Sequence, residues 1–280
     1  EKFQKMYETM DFYVLYNRFL KKEGYQTLPR RPLEKRKLRY EDVYPVLYLK
    51  YRLSRQAERS NIKHLVIDEM QDYSRLQYLI IRRMFSCKMT ILGDRAQTMA
   101  DQQQDVLQFL PGIFGKDLRR IEMRKSYRNT VEIASYAANL IGVTDLELFE
   151  RHGMPVLERD VTDLEAALRE AVDTLFPDEK TYETAAVIVP DEKTAERAYL
   201  ILREILAEKD FDCGKRLSWL NRDSSSFKKG LTVTTFYLAK GLEFDQVFSI
   251  FPKDEKREIM MQAQYIAATR ALHELRVYHI

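Results

Sequence analysis

Residues 62–97, IKHLVIDEMQDYSRLQYLIIRRMFSCKMTILGDRAQ, constrain the rest of the chain most. An apolar run, His64-Leu65-Val66-Ile67, ends in two adjacent carboxylates, Asp68 and Glu69. A second run, Met89 to Leu92, ends in Gly93-Asp94 with Gln97 close behind. Runs this short and this rich in β-branched residues, separated by a helical stretch, predict neighbouring parallel strands buried on both faces. In open α/β sheets, ligands bind outside the carboxyl ends of the strands, where all three polar clusters fall. That placement suits phosphoryl transfer. One carboxylate can hold Mg²⁺, its neighbour can act on a water, and an amide can orient that water or contact a γ-phosphate.

The remaining composition sets bounds. A chain of 280 residues has room for one or two domains with sizeable cores. Net charge is only +3, so any nucleic-acid surface has to be local. Two cysteines, Cys87 and Cys213, form no disulfide framework or metal-ligand spacing and favour a cytoplasmic setting. No apolar stretch is long enough to predict a membrane span, and no signal-peptide pattern is present. The chain starts at Glu1 in a helical pattern, which suggests a piece of a longer protein.

Helical spacing runs through residues 3–20, with Gly24 as a stop. RRPLEKRKLR follows, a basic run that reads first as a solvated linker and second as a phosphate or RNA contact. Asp42 is a candidate cap for the next helix, with Pro45 in its first turn, and Ser74 for the helix between the two central strands. TMADQQQD, after Gln97, reads as loop. A strand is predicted at 119–123, then a helix with Asn129 and Glu132 as a capping box and its end at Gly142. Beyond it come strand 154–158, helix 162–175, strand 185–189, helix 192–208, strands 231–235 and 245–250, helix 255–271 and strand 274–279. Alternation of this kind predicts an α/β fold with parallel sheets and flanking helices. The domain boundary is placed near residue 120, giving domains 1–120 and 121–280.

Five clusters in sequence carry a resemblance. Asp68-Glu69-Met70-Gln71-Asp72 and Gly93-Asp94-Arg95-Ala96-Gln97 resemble motifs II and III of superfamily 1 helicases of the UvrD/Rep type. Ser126-Tyr127-Arg128-Asn129-Thr130 resembles motif IV. The stretch Thr234 to Asp245, with KGLEFD at its end, resembles motif V, and Tyr265 to Leu272 resembles motif VI. Together they span about 210 of the 280 residues, in the family's order. The resemblance implies two RecA-like motor domains of the P-loop NTPase type, the first incomplete. It further implies ATP and Mg²⁺ as cofactors and DNA as partner.

By that resemblance Asp68 would coordinate Mg²⁺, Glu69 would activate the attacking water and Gln97 would contact the γ-phosphate. Arg128 and Arg270 would be two arginines facing the acids across an interdomain cleft, in a wet, open setting or partly neutralised by a bound anion or by nearby acids. Tyr127 would stack on adenine, Glu243 would meet the ribose, and Gly241 would belong to the nucleotide site. Thr235, Tyr237 and Lys240 lie in the stretch that in this family faces nucleic acid or nucleotide.

The departures are informative. No G-x-x-x-x-G-K-[ST] loop is present, so the resemblance expects an N-terminal remainder to supply it and the chain alone to be inactive. TMADQQQD lacks the aromatic, Arg-rich stretch that stacks single-stranded bases in UvrD-type enzymes. Only about 40 residues separate strand 185–189 from motif V, too few for a large inserted subdomain. The missing insertion, the helix RYEDVYPVLYLKYRL ahead of motif II and the Tyr-Leu-Ala before KGLEFD resemble the HelD branch, which implies RNA polymerase as an alternative target of an ATP-driven remodeller. The competing expectations are a DNA motor, a polymerase remodeller, and a non-enzymatic module that keeps only the shell.

Overall fold

A computed structural model describes residues 9, 11–54, 61–94, 97, 106–115, 118–123, 125–143, 147–175, 182–209, 216–224, 229–253 and 258–280. The chain divides into two compact units, one of Glu1–Arg95 with Gln102–Arg120, the other of Ala96–Asp101 with Ile121–Ile280. The TMADQQQD stretch falls outside the described residues.

The first unit opens with α1 (Phe12–Lys22), whose N-cap Asp11 accepts from the Tyr13 and Val14 amides. The helix stops at Gly24, where the Gly24 and Tyr25 amides return to Lys21 and Leu20 carbonyls. Its buried face, Tyr13, Tyr16 and Leu20, packs on Leu28, Leu38, Val46 and Leu49. In α2 (Tyr40–Leu53) the N-cap is Arg39, and Pro45 lies inside the helix. Asp42 is therefore not the cap. Its buried carboxylate accepts from the Tyr16 hydroxyl at 2.9 Å and from Arg39 Nε at 3.1 Å, which pins α1 to α2.

Strands β1 (His64–Ile67) and β2 (Lys88–Ile91) pair in parallel, His64 opposite Lys88 and Ile67 opposite Ile91. Between them runs α3 (Arg75–Met84), and α4 (Val106–Phe114) follows. Ser74 caps α3 in a capping box with Gln77. The expectation that both sheet faces are buried does not hold. Leu65, Ile67 and Ile91 join Tyr78, Val106 and Leu110 in the core, whereas Val66 is 60% exposed. On the outward face His64 Nε2 meets Thr90 Oγ1 at 2.9 Å. The alternation was concealed because Val66, although outward, is as apolar as its inward neighbours.

The second unit is built on six parallel strands in the order β5-β10-β9-β6-β8-β7. They are β5 (Leu157–Asp160), β6 (Thr184–Val189), β7 (Leu217–Trp219), β8 (Gly230–Thr235), β9 (Phe244–Phe251) and β10 (Ala271–His279). Period-two alternation divides the core. Ala185, Val187 and Val189 face α6 (Leu164–Asp173) and α7 (Glu192–Ala207) through Leu168, Ala198 and Leu202. Ala186 and Ile188 face α5 (Val131–Leu140) and α8 (Glu258–Thr269) through Ile133, Ala263 and Ala267. Helices thus cover both faces, the α/β arrangement expected.

Several boundaries differ from the sequence reading. Residues 119–123 form no strand; β3 (Lys125–Ser126) pairs instead with a short β4 (Glu147–Leu148). Thr130, not Asn129, caps α5 by accepting from the Ile133 amide. Glu132 reaches His152 Nδ1 and the Gly153 amide, and the His152 hydrogen bond first of all holds its carboxyl down to about 2. Residues 154–156 precede β5, and β10 starts directly after Arg270. Strand β7 was not foreseen because three residues give no periodicity to read.

Asp245, the last residue of KGLEFD, ties two strands together. Its Oδ2 accepts from the Glu183 amide, the Thr184 amide and the Thr184 hydroxyl, each at 2.9 Å. Gly230 at the start of β8 has φ +111°, and a Cβ there would run into the backbone of Arg216. Gly230→Ala is therefore expected to lower stability by at least about 2 kcal/mol, combining backbone strain and overpacking, in urea or thermal unfolding. Wild-type stability in that variant would contradict the packing described.

Candidate functional site

In the first unit the site is a turn at the end of β1. Glu69 has φ 52° and ψ 52°, the one positive-φ non-glycine among the described residues. Left-handed backbone costs a residue with a Cβ on the order of 1–2 kcal/mol. Neighbouring bonds hold it. The Asp72 amide donates to Glu69 O at 2.9 Å, and the Met70 amide donates to Leu92 O at 2.8 Å. The Tyr78 hydroxyl donates to Met70 O at 3.0 Å. Asp68 Oδ1 accepts from the Glu69 amide at 2.8 Å.

Gln71 joins the two strand ends. Its Nε2 donates to Glu69 Oε2 at 2.5 Å, and its Oε1 accepts from the Asp94 amide at 3.2 Å. Gly93 makes this possible, since a Cβ there would lie 2.5 Å from Gln71 Oε1 and 2.6 Å from the Met70 nitrogen. Sequence reasoning placed Gln71 in its motif without giving it a function. The signal was the Gln two residues beyond the Glu, matched to a strand end with Gly next to Asp.

In the second unit the two expected arginines meet the same short stretch. Arg128 Nη2 pairs with Glu243 Oε1 at 2.7 Å, with both side chains about half exposed. Arg270 Nη1 donates to Leu242 O, the adjacent residue, at 3.4 Å. Its Nε donates to Ile266 O at 3.2 Å, and its Nη2 donates to Thr269 Oγ1 at 3.1 Å and to Gln97 Oε1 at 3.4 Å. Asn129 sits between the arginines and donates to Thr269 O at 3.3 Å and Ala271 O at 2.6 Å. Arg270 is 1% exposed. The expected solvated guanidinium is thus replaced at this position by an enclosed one, because Ile266 O and the Thr269 hydroxyl at the end of α8, together with Leu242 O and Gln97 Oε1, take its N–H groups. Arg128 matches the other expectation, neutralisation by a nearby acid.

Around this pair, Tyr127 is 60% exposed and tilts against Phe149 at 5.6 Å between centroids, with Lys125 Nζ 5.6 Å from each ring. Gly241 is exposed with φ +80°. Tyr237 and Lys240 are half-buried, and Arg222 lies over the Tyr237 ring at 6.0 Å. Thr235, expected to face nucleic acid, is buried with its hydroxyl unbonded at the end of β8. Among the described residues no group of three or more His, Cys, Asp or Glu forms a ready metal site. Asp68 is exposed and acidic, as a carboxylate shared with phosphate oxygens and water around Mg²⁺ requires.

Arg151 supports Arg128 from behind and was not foreseen. Its Nη1 donates to Arg128 O at 3.0 Å, and its Nη2 donates to Leu272 O at 2.7 Å and to His273 Nδ1 at 2.9 Å. An accepting Nδ1 requires a neutral imidazole with its hydrogen on Nε2. His273 also stacks on Tyr182 at 5.5 Å and has Asp245 Oδ1 3.8 Å from Nε2. Burial first, then the Arg151 charge, lowers its pKa from 6.5, while Asp245 opposes the shift.

Two outcomes are expected of this bonding. Gln71→Leu leaves the Asp94 amide and the Glu69 carboxylate without these partners and should destabilise the first unit by about 1–3 kcal/mol in denaturant unfolding. Unfolded His273 takes up its proton at higher pH than the folded residue does. Stability should therefore fall as pH drops below 6.5. His273→Phe, which keeps the ring stack, should flatten that part of the stability profile; an unchanged slope would remove His273 from the account.

No curated protein matches the chain significantly. Among solved structures it is similar to the C-terminal domain of a possible DNA helicase from Lactobacillus plantarum WCFS1, at 24% identity over 55% of this chain and 88% of that one, with TM-score 0.43. It is also similar to PRRSV helicase, at 17% identity, 78% of this chain, 35% of that chain and TM-score 0.43. Arterivirus nonstructural protein 10 (helicase) in complex with DNA gives 14% identity, 78% of this chain, 39% of that chain and TM-score 0.42. The chain thus spans well under half the length of these two viral proteins. Residues 2–99, the stretch that carries Asp68, Glu69, Gln71, Gly93 and Gln97, match the family model of the UvrD/REP helicase N-terminal domain.

Proposed function

We propose that the chain is part of an ATP-driven nucleic-acid motor. The observation that carries this reading is the convergence of Arg128 and Arg270 on Leu242 and Glu243. Two cations brought to one stretch suit a ligand on which negative charge develops, and phosphoryl transfer is such a reaction. The bonds of Arg270 to Leu242 O and Gln97 Oε1, each 3.4 Å, are long, and a phosphate oxygen would be a stronger acceptor than either.

In this reading Asp68 would hold Mg²⁺, which when bound screens phosphate charge. Glu69 would take a proton from the attacking water, with Gln71 fixing the carboxylate. Gln97 would contact the γ-phosphate, and Arg128 and Arg270 would stabilise the charge that develops on it. The exposed Tyr127 ring suits stacking on adenine, with Gly241 and Glu243 beside the ribose. Tyr237 and Lys240 are the candidates for nucleic-acid contact. Thr235, being buried, would act by shaping the loop that carries them.

Hydrolysis needs donors for the β-phosphate, so the chain by itself should turn over negligible ATP. In a form that carries a phosphate loop as well as this chain, Glu69→Gln should retain nucleotide binding and lose at least about 100-fold in turnover. Arg128→Ala should slow hydrolysis by roughly 10²–10⁵-fold. Arg270→Lys keeps the charge while losing the fork, so turnover should fall together with the melting temperature, because the same N–H groups hold the turn before β9 to α8. Parental rates in all three variants would remove the proposal. Stimulation by single-stranded DNA assigns the motor to nucleic acid, whereas stimulation by RNA polymerase core alone assigns it to polymerase remodelling.

A further inference from the structure

The basic segment between α1 and α2 is not a loose linker. It is clamped to α1 at successive points. The Asn17 amide pairs with both backbone groups of Leu28, Nδ2 donating to its carbonyl at 3.3 Å and Oδ1 accepting from its amide at 2.7 Å. The Tyr13 hydroxyl donates to Pro29 O at 2.7 Å. Arg36 lies 4.7 Å over the Tyr13 ring, donates from Nη1 to both Asp11 oxygens at 2.9 and 2.7 Å, and donates from Nε to Arg31 O at 3.0 Å. Ordering backbone costs about 1–2 kcal/mol per residue, so a segment needing only to span two helices gains nothing from this anchoring.

The anchoring sorts the side chains. Leu28, Arg36 and Leu38 turn inward, while Lys35, Lys37 and Arg39 alternate outward. Arg39 is taken by Glu41 and Asp42. Arg30, Arg31, Lys35 and Lys37 are exposed, as are Lys21 and Lys22 at the end of α1, against only Glu23 and Glu34 among exposed acids of that stretch. Large aromatic faces are exposed within the same segment, Tyr25 at 64% and Tyr40 at 76%. For a chain with net charge +3, this is a strong local excess of positive charge.

We propose that residues 21–40 form a contact surface for single-stranded DNA, with Arg30, Arg31, Lys35 and Lys37 on phosphates and Tyr25 and Tyr40 under bases. It rests on the nucleic-acid half of the proposed function and adds a surface distinct from Tyr237 and Lys240. Fixed cations track a phosphate backbone, and exposed rings can stack only on bases that are unpaired. The clamps preset the spacing of the cations, so little ordering remains to be done on binding.

Fluorescence anisotropy of the 280-residue chain with a labelled oligothymidylate tests this, across a salt series. Replacing Arg30, Arg31, Lys35 and Lys37 together by Ala should weaken binding and reduce the salt slope by about 3, roughly 0.7 for each phosphate that is no longer neutralised. Tyr25→Ala and Tyr40→Ala should each weaken binding about 5-fold or more. Lys35→Arg with Lys37→Arg should bind as the wild type does, and matching melting curves confirm that all variants are folded. If the fourfold Ala variant binds with unchanged affinity and slope while Tyr237→Ala with Lys240→Ala abolishes binding, the surface is wrong and the nucleic-acid reading survives. Equal affinity for duplex, with both tyrosine variants silent, overturns the single-strand assignment. So does binding to phosphatidylserine vesicles without binding to oligothymidylate.

Discussion

The arrangement in the second unit depends on one buried cation. Placing a guanidinium at 1% exposure is costly unless its N–H groups are bonded. Arg270 meets that requirement at the C-terminal end of α8, where carbonyls carry the negative pole of the helix, through Ile266 O and the Thr269 hydroxyl. Leu242 O also accepts from it and brings the turn before β9 to the same point. Asn129 then joins the residues on both sides of Arg270 to the start of α5. Arg128 and Arg270 therefore bond to adjacent residues, Glu243 and Leu242, although about 140 residues separate them in sequence.

The first unit uses a different device for a related purpose. A left-handed Glu69 aims a carboxylate past the end of β1, and the cost is offset by hydrogen bonds rather than by glycine. Gln71 both steadies that carboxylate and reaches the Asp94 amide at the end of β2. One side chain thus ties the two strand ends together.

Much of this was legible in the sequence, for a physical reason. Strand ends that carry Asp-Glu or Gly-Asp, and a helix that ends in Thr-Arg-Ala, are local patterns, and local patterns survive in a one-dimensional string. The parallel pairing of β1 with β2 and the alternation of strands and helices after residue 150 follow from periodicity. What escaped was long-range. Nothing near Arg151 announces that it will hold Arg128 O, Leu272 O and His273. Asn129 looked like a helix cap because caps are local, yet its amide is committed to carbonyls 140 and 142 residues away. Val66 looked buried because apolar character alone does not tell which face of a strand is covered.

In the proposed function Arg128 and Arg270 serve one phosphate. A crystal structure with Mg²⁺ and a non-hydrolysable ATP analogue, in a form carrying a phosphate loop, tests it most directly. Both guanidinium groups are expected within hydrogen-bond reach of the same γ-phosphate, with Arg270 released from Leu242 O or Gln97 Oε1 and Arg128 released from, or sharing, Glu243. An ordered nucleotide whose γ-phosphate touches neither arginine, with the bonds of Arg270 unchanged, would contradict it.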